Sequence, residues 1–424
     1  MEFNESQYNI IVEKNNDYIY IYNSFYGSLV KVEDRVYKLF HNKVINDENK
    51  IEYFDLLRKE GIIKPTSLNE FNKIIINEKN EIYSKNKDKL TFVLVPTMNC
   101  NLRCDYCFEK EYRCNKKLLN EQIPKIVKFI LSRINRKIKK IHITWFGGEP
   151  MLEYEFICDF SKEIIEEMNK MNIQYTSSMI TNGVLFDKNK ICNLVENCRI
   201  SRYQITVDGT EQYYCDIKKT IPAVYSKVMI NIKELCKYAQ VTIRLNSNKM
   251  NYEDLKDVTK YIIDICENSK NLNFYLAKLI NYDNQCDLCN FSQEEFDDRK
   301  IEYKKYYLSL INKDYKITLP KYRGCFCGLF TVNNFVIGPE LKIYKCEHDV
   351  GNDDKVIGNV EYGIYYNDYM VEFLENKILD QCKKCSIFPL CLGGCPSQKR
   401  VLSNGSSCYY SEKFIVNLVK QWIK

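Results

Sequence analysis

Histidine is nearly absent from this chain: His41, His142 and His348 are the only three in 424 residues. A histidine-rich zinc or iron centre, or a Ser/His/Asp triad, therefore has little to be built from. No run of 18 apolar residues occurs, which argues against a membrane-spanning helix. The opening Met1-Glu-Phe-Asn-Glu-Ser6 lacks the basic and apolar regions of a secretory signal, so a cytoplasmic location is expected. No long basic tract stands out. The net charge of +6 is spread through a chain rich in both signs, so neither nucleic acid nor membrane is an expected partner.

Cysteine, by contrast, is plentiful, with 20 residues. A cytosolic chain keeps its thiols reduced, so this abundance points to metal sites rather than disulfides. The cysteines are distributed unevenly over three regions. Residues 1–85 contain none and read as a small α+β module. Tyr8–Val12, Tyr18–Tyr22 and Ser28–Val32 are strand-like, and helical stretches follow near Glu33–His41 and Ile51–Glu60. Polar Ile74–Asp88 reads as a linker.

Residues 90–280 alternate strand-like and helix-like stretches. The strands expected are Thr91–Thr97, Ile141–Phe146, Gln174–Ile180, Tyr203–Val207, Val241–Asn246 and Asn273–Ala277, with helices such as Gln122–Arg136, Tyr154–Met171 and Val224–Ala239 between them. This βα repetition predicts an α/β fold with a parallel sheet, either a partial (β/α)6 barrel or a doubly wound sheet. Residues 281–424 lose regular periodicity and crowd their cysteines, as a segment held together by metal clusters would.

The sharpest motif is Cys100-Asn-Leu-Arg-Cys104-Asp-Tyr-Cys107, just after the first barrel strand. Three thiolates can hold three irons of a [4Fe–4S] cube and leave the fourth open for a ligand. Gly147-Gly148-Glu149-Pro150 follows the second strand. Its glycines would let backbone approach a ligand, and Glu149 could accept from an ammonium. The bland reading is a strand-to-helix turn. Thr181-Asn182-Gly183, Thr206-Val207-Asp208-Gly209 and Arg244-Leu245-Asn246 end the next three strands, where a barrel keeps its chemistry. Each is weak alone, since Asn-Gly and Asp-Gly are ordinary turns. A second framework, Cys382-x2-Cys385-x5-Cys391-x3-Cys395 with Cys408, follows Cys325, Cys327 and Cys346. A structural zinc ribbon is its plain alternative.

Together these motifs resemble the radical SAM enzymes over most of residues 90–410, and the second framework resembles their SPASM domain. The resemblance implies that Cys100, Cys104 and Cys107 hold a [4Fe–4S] cluster whose open iron chelates S-adenosylmethionine (SAM). Reductive cleavage would then give a 5′-deoxyadenosyl radical that abstracts hydrogen from a peptide. It implies SAM contacts from Tyr106, Gly147, Gly148, Glu149, Asn182, Thr206, Arg244 and Asn246. It also implies two auxiliary [4Fe–4S] clusters: Cys382, Cys385, Cys391 and Cys408 on one, and Cys327, Cys346 and Cys395 with Cys325 on the other. Cys286 and Cys289 lie outside the pattern. Glu347, beside His348, is the candidate catalytic base. The plain alternative for both is two polar residues on a cluster loop.

The sequence departs from the family pattern in two places. Relatives carry His-Asp and then Arg after Asp-Gly, whereas this chain has Tyr214-Cys-Asp-Ile-Lys218-Lys219. They also carry glycine where this chain has Leu341, so the turn there is expected to use Gly338. The N-terminal module resembles the winged-helix-like elements that bind a precursor's leader peptide as an added strand, for which Tyr18–Tyr22 is a candidate. A mere cap on the barrel is its alternative. The expected partners are a precursor peptide and a reductant such as flavodoxin or ferredoxin. The chemistry expected is a cross-link, as a thioether. Formylglycine formation by a sulfatase-type maturase is the alternative, and a non-catalytic cluster or zinc adaptor is the reading from another class.

Overall fold

The computed structural model describes residues 1–46, 52–84, 88–280, 291–313, 318–401 and 408–423. In the N-terminal region, β1 (Phe3–Glu5) precedes an antiparallel sheet of β2 (Asn9–Lys14), β3 (Tyr18–Asn23) and β4 (Ser28–Glu33). Helices α1 (Asp34–Phe40) and α2 (Phe54–Lys59) follow, then β5 (Ile63–Pro65), which pairs with β1. The alternation of Tyr18-Ile-Tyr-Ile-Tyr22 gives the sheet two apolar faces. Ile19 and Ile21 pack with Val36, Tyr37 and Phe40 of α1. Tyr22, with Ile10 and Val12 of β2, packs against the helix at the far end of the chain.

Two expectations change here. The stretch that reads as a linker forms helix α3 (Glu70–Tyr83), capped by Asn69, whose side chain accepts from the Asn72 amide. Its polar appearance comes from one exposed face, since Ile74, Glu78 and Ile82 are buried at helical spacing. The strand offered for leader binding, β3, lies between β2 and β4 and is paired on both sides. Any added strand must use the outer edge of β2 or β4.

The second region supplies six parallel strands: β6 (Lys89–Leu94), β7 (Lys140–Trp145), β8 (Gln174–Thr181), β9 (Ile200–Thr206), β10 (Gln240–Ser247) and β11 (Leu272–Lys278). They lie side by side in sequence order. A doubly wound sheet would reverse its order at a switch point, and this one does not. Every right-handed crossover therefore lands on the same face. That layer holds α4 (Ile123–Ser132), α5 (Tyr154–Lys170), α6 (Lys188–Glu196), α7 (Glu211–Lys218), α8 (Pro222–Leu235) and α9 (Tyr252–Ile265).

The strands show which face is which. Ile141, Ile143 and Trp145 of β7, Met179 of β8, Tyr203 and Ile205 of β9, and Val241, Ile243 and Leu245 of β10 are buried in one core with helix residues such as Phe156, Phe160 and Ile262. The alternate positions are polar: His142 and Thr144, Ser178, Gln204 and Thr206, Arg244 and Asn246. That inner face is the concave side of an arc rather than a closed barrel, because β11 is an outer strand of the sheet.

The C-terminal region extends the same sheet. After α10 (Gln293–Leu310), β12 (Phe335–Ile337) pairs parallel to β6, and β13 (Lys342–Tyr344), β14 (Gly358–Asn359) and β15 (Gly363–Ile364) continue it antiparallel. Short helices α11 (Asp368–Glu375), α12 (Asp380–Lys383), α13 (Phe388–Cys391) and α14 (Pro396–Val401) follow, with Cys382 on α12, Cys391 on α13 and Cys385, Cys395 and Cys408 between helices, and α15 (Glu412–Ile423) packs on β2. The turn into β13 is a further correction: Gly338 has φ −107°, while Glu340 and Leu341 take φ +61° and +59°. The leucine keeps the left-handed backbone that glycine favours and is held there by burial.

Candidate active site at the mouth of the sheet

The loop after β6 carries Cys100, Cys104 and Cys107, and the neighbouring loops hold it in place. Gly148 N donates to Thr97 O at 3.2 Å, and Glu149 N donates to Asn99 O at 2.9 Å. A Cβ on Gly147 would lie 2.6 Å from Thr97 O, and one on Gly148 would lie 2.2 Å from Asn99 O. The two glycines thus permit close approach to the backbone of the cysteine loop.

Glu149 is fully buried. Its Oε1 accepts from Met151 N (3.0 Å) and Thr181 Oγ1 (2.8 Å), and its Oε2 accepts from Asn182 N (2.8 Å). Burial pushes its pKa up to about 6 against these donors. Three acceptor positions are filled, which leaves capacity for one more donor. Asn182 in turn reaches the cysteine loop, donating to Asn101 Oδ1 at 2.7 Å and lying 3.8 Å from Cys100 Sγ.

The thiols suit an iron–sulfur cluster. Leu102 N points at Cys100 Sγ (3.4 Å) and Arg113 Nη2 at Cys107 Sγ (3.7 Å), donors of the kind that stabilise cluster thiolates. Burial pushes the Cys100 thiol up to about 11 and raises Cys104 and Cys107 as well. A metal that takes the thiolate removes that penalty. Among the described residues, no three His, Cys, Asp or Glu side chains are placed to hold a single metal ion.

Tyr106 does not end in open space. Its hydroxyl donates to Asp208 Oδ2 at 2.6 Å and receives Lys218 Nζ at 3.2 Å. Lys218 pairs with the same Asp208 oxygen at 2.9 Å. Burial works against the lysine's charge, yet Asp208, Tyr106 and Cys104 hold its pKa well above the ordinary value. Lysine here pairs within the protein.

A cavity of about 770 Å3, its open mouth included, sits at the C-terminal ends of the strands. Tyr106, Thr206, Arg244, Asn246 and Glu347 all line it. Arg244 Nε donates to Asn246 Oδ1 at 2.9 Å. Burial raises the Glu347 pKa while Arg244 opposes it, and burial followed by Arg244 lowers His348 to about 4. Glu347 and His348 therefore face Arg244 across the space. Sequence reasoning passed over Phe108, Phe146 and Gln204. Phe108 packs on His348 with centroids 4.1 Å apart, and Gln204 accepts from Tyr275 at 2.9 Å. Gln204 and Phe146 fall on the inward alternation of their strands, a signal available in the sequence.

The C-terminal cysteines fall into two neighbourhoods by mutual electrostatic reach. Cys382, Cys385, Cys391 and Cys408 act on one another. Cys325, Cys327, Cys346 and Cys395 form the other, with buried Lys345 against it. Glu347 acts on both Cys327 and Cys346, so this second group adjoins the cavity. Cys286 and Cys289 lie outside the described residues.

Residues 94–262 match the Radical SAM superfamily model. The chain carries a Radical SAM domain, and it is an enzyme. It is 25% identical over 345 residues to a cysteine-type anaerobic sulfatase-maturating enzyme of Clostridium novyi (strain NT), covering 73% of this chain and 88% of that one. Its fold is similar to anSMEcpe with bound AdoMet and Cp18Cys peptide, with TM-score 0.58 and 20% identity over 79% of this chain and 96% of that one. It is also similar to Streptococcus suis SuiB bound to precursor peptide SuiA, with TM-score 0.57 and 14% identity over 97% and 99%.

Proposed function

We propose that the chain is a maturase that oxidatively cross-links a precursor peptide through a cysteine sulfur, as a thioether. The observation that carries this reading is the cavity. The cysteine loop contributes Tyr106 to its lining, and the C-terminal cysteine region contributes Glu347 and His348. Hydrogen abstraction and the sulfur's partner chemistry would thus share one space. When bound, a [4Fe–4S] cluster with SAM on Cys100, Cys104 and Cys107 supplies the hydrogen-abstracting radical, and auxiliary [4Fe–4S] clusters on the C-terminal cysteines supply a place for the released electron.

The chain's own side chains do the rest. Thr206, Arg244 and Asn246 present donors and acceptors for SAM at the strand ends. Glu347, lining the same cavity as Arg244, would serve as a base for the proton leaving the substrate thiol. The balance is one C–H and one S–H lost and one C–S bond gained, with a hydrogen atom, a proton and an electron removed. The N-terminal module, residues 1–85, whose β2–β3–β4 sheet has two outer edges, would take the leader as an added strand. The SuiB likeness spans 97% of the chain and the anSMEcpe likeness 79%, a gap about the size of this N-terminal region.

Formylglycine formation is the second reading, favoured by the sulfatase-maturating relatives. Peptide mass separates the two readings. The protein is reconstituted without oxygen, and SAM, reductant and a cysteine-containing precursor peptide are added. Loss of two hydrogens with one thiol no longer alkylatable supports the cross-link. Replacement of the thiol by an aldehyde in a leaderless sulfatase-motif peptide supports the alternative and contradicts the first.

A further inference from the structure

Lys218 and Asp208 are both about 2% exposed, and their 2.9 Å pair lies directly behind the cysteine loop. The loop is fastened to the same helix end through its backbone on either side of Cys104. Arg103 N donates to Lys218 O at 3.2 Å, and Asp105 N donates to Ile217 O at 3.1 Å. The Tyr106 hydroxyl bridges to both members of the pair. The Lys218 ammonium also lies over the rings of Tyr214 (5.1 Å) and Tyr106 (5.9 Å). The start of α7 is held as firmly, with Thr210 N donating to Asp254 Oδ2 at 2.7 Å.

A buried lysine–aspartate pair is a costly way to dock a loop, because both ions lose their hydration. Apolar side chains would fill the same space more cheaply. A fixed charge in a low-dielectric site, however, acts strongly on any charge that changes beside it. Lys218 stands beside the Cys104 segment, because the amides on either side of Cys104 bond the carbonyls of Lys218 and Ile217, and Asp208 brings the opposite charge to the same place. A cation beside a cluster thiolate favours the more negative, reduced cluster, and burial and charge are established determinants of cluster potential.

We propose that Lys218 is a positioning residue of the radical-generating centre, fixing the Cys104 segment and setting by its charge how readily the cluster bound there is reduced. Asp208 is its counterweight. The inference rests on Cys100, Cys104 and Cys107 holding that cluster. It assigns a role to Lys218 in the stretch Tyr214–Lys219, where the sequence departs from the relatives' pattern.

The test is a redox titration of the full-length reconstituted protein, following the EPR signal that responds to added SAM. Lys218→Gln keeps a donor toward Asp208 and removes the cation, so its reduced-to-oxidised ratio at fixed potential should fall about tenfold, or 59 mV for a one-electron couple. Asp208→Asn should shift the other way, and Lys218→Arg should stay near wild type. A loop role without an electrostatic one predicts wild-type potentials, or shifts of one sign, in both neutral variants, and either result would overturn the proposal. Should Lys218→Gln fail to take up the cluster, Asp208→Asn still decides the sign. A wild-type protein with no SAM-responsive signal would instead remove the reading of the three cysteines itself.

Discussion

In the proposed function, Glu347 is the base toward the substrate. It lies in the cavity, opposed by Arg244, and directly follows Cys346. Glu347→Gln should leave 5′-deoxyadenosine release intact while peptide product falls by roughly 100-fold, the scale of a lost general base. Equal losses in both would assign it to SAM binding instead. His142 has no such role: its ring contacts Thr176 Oγ1 (2.8 Å) and Ser178 Oγ (3.0 Å) on the inner face of the sheet. Burial, with Lys89 and Arg202 adding to it, lowers its pKa from 6.5 to about 4. Between these values the unfolded chain takes up a proton that the folded chain refuses. Stability therefore falls as pH drops through this window, by at most about 3 kcal/mol from this residue. Melting curves of wild type and His142→Gln should converge as pH falls toward 4, and a constant difference would refute the assignment. The sequence marked the cysteines and Glu347 by position alone. It could not show that Tyr106 meets both Asp208 and Lys218, because those contacts join residues 102 and 112 positions apart.

At the scale of elements, all six barrel strands were legible, because β-branched and aromatic residues alternate with polar ones along most of them and run together in β6. The linker reading failed because α3 hides a narrow apolar stripe in a polar sequence, and only packing against Phe388 and Leu392 reveals it. The docking of the Gly-Gly loop onto the cysteine loop was equally hidden. Gly148→Ala would drive its Cβ into the Asn99 carbonyl. It should destabilise the protein by about 2 kcal/mol or more and lower its iron content, both measurable after anaerobic reconstitution. A stable variant with full iron would mean that the loop relaxes freely. Proline should likewise distinguish the two open edges of the N-terminal sheet. Placed at Ile11 in β2 or Lys31 in β4, it should abolish leader-peptide binding in one variant while peptide-free SAM cleavage continues. Undiminished binding in both would exclude strand addition.

Taken as a whole, the molecule joins its three regions into one continuous scaffold. The ten-stranded sheet runs from the barrel into the C-terminal cysteine region through the β6–β12 pairing, and α15 returns to cover β2. The sequence sets these regions apart by periodicity and cysteine density, but it held no signal for their joining, since parallel pairing between residues about 240 positions apart leaves no local pattern. This continuity brings Glu347 into the cavity that Arg244 and Tyr106 also line. The most direct test of the account is whether anaerobically reconstituted, reduced protein cleaves SAM. The account predicts 5′-deoxyadenosine from the wild type and none from Cys104→Ala. No 5′-deoxyadenosine from iron-loaded wild type, or undiminished release from Cys104→Ala, would contradict it.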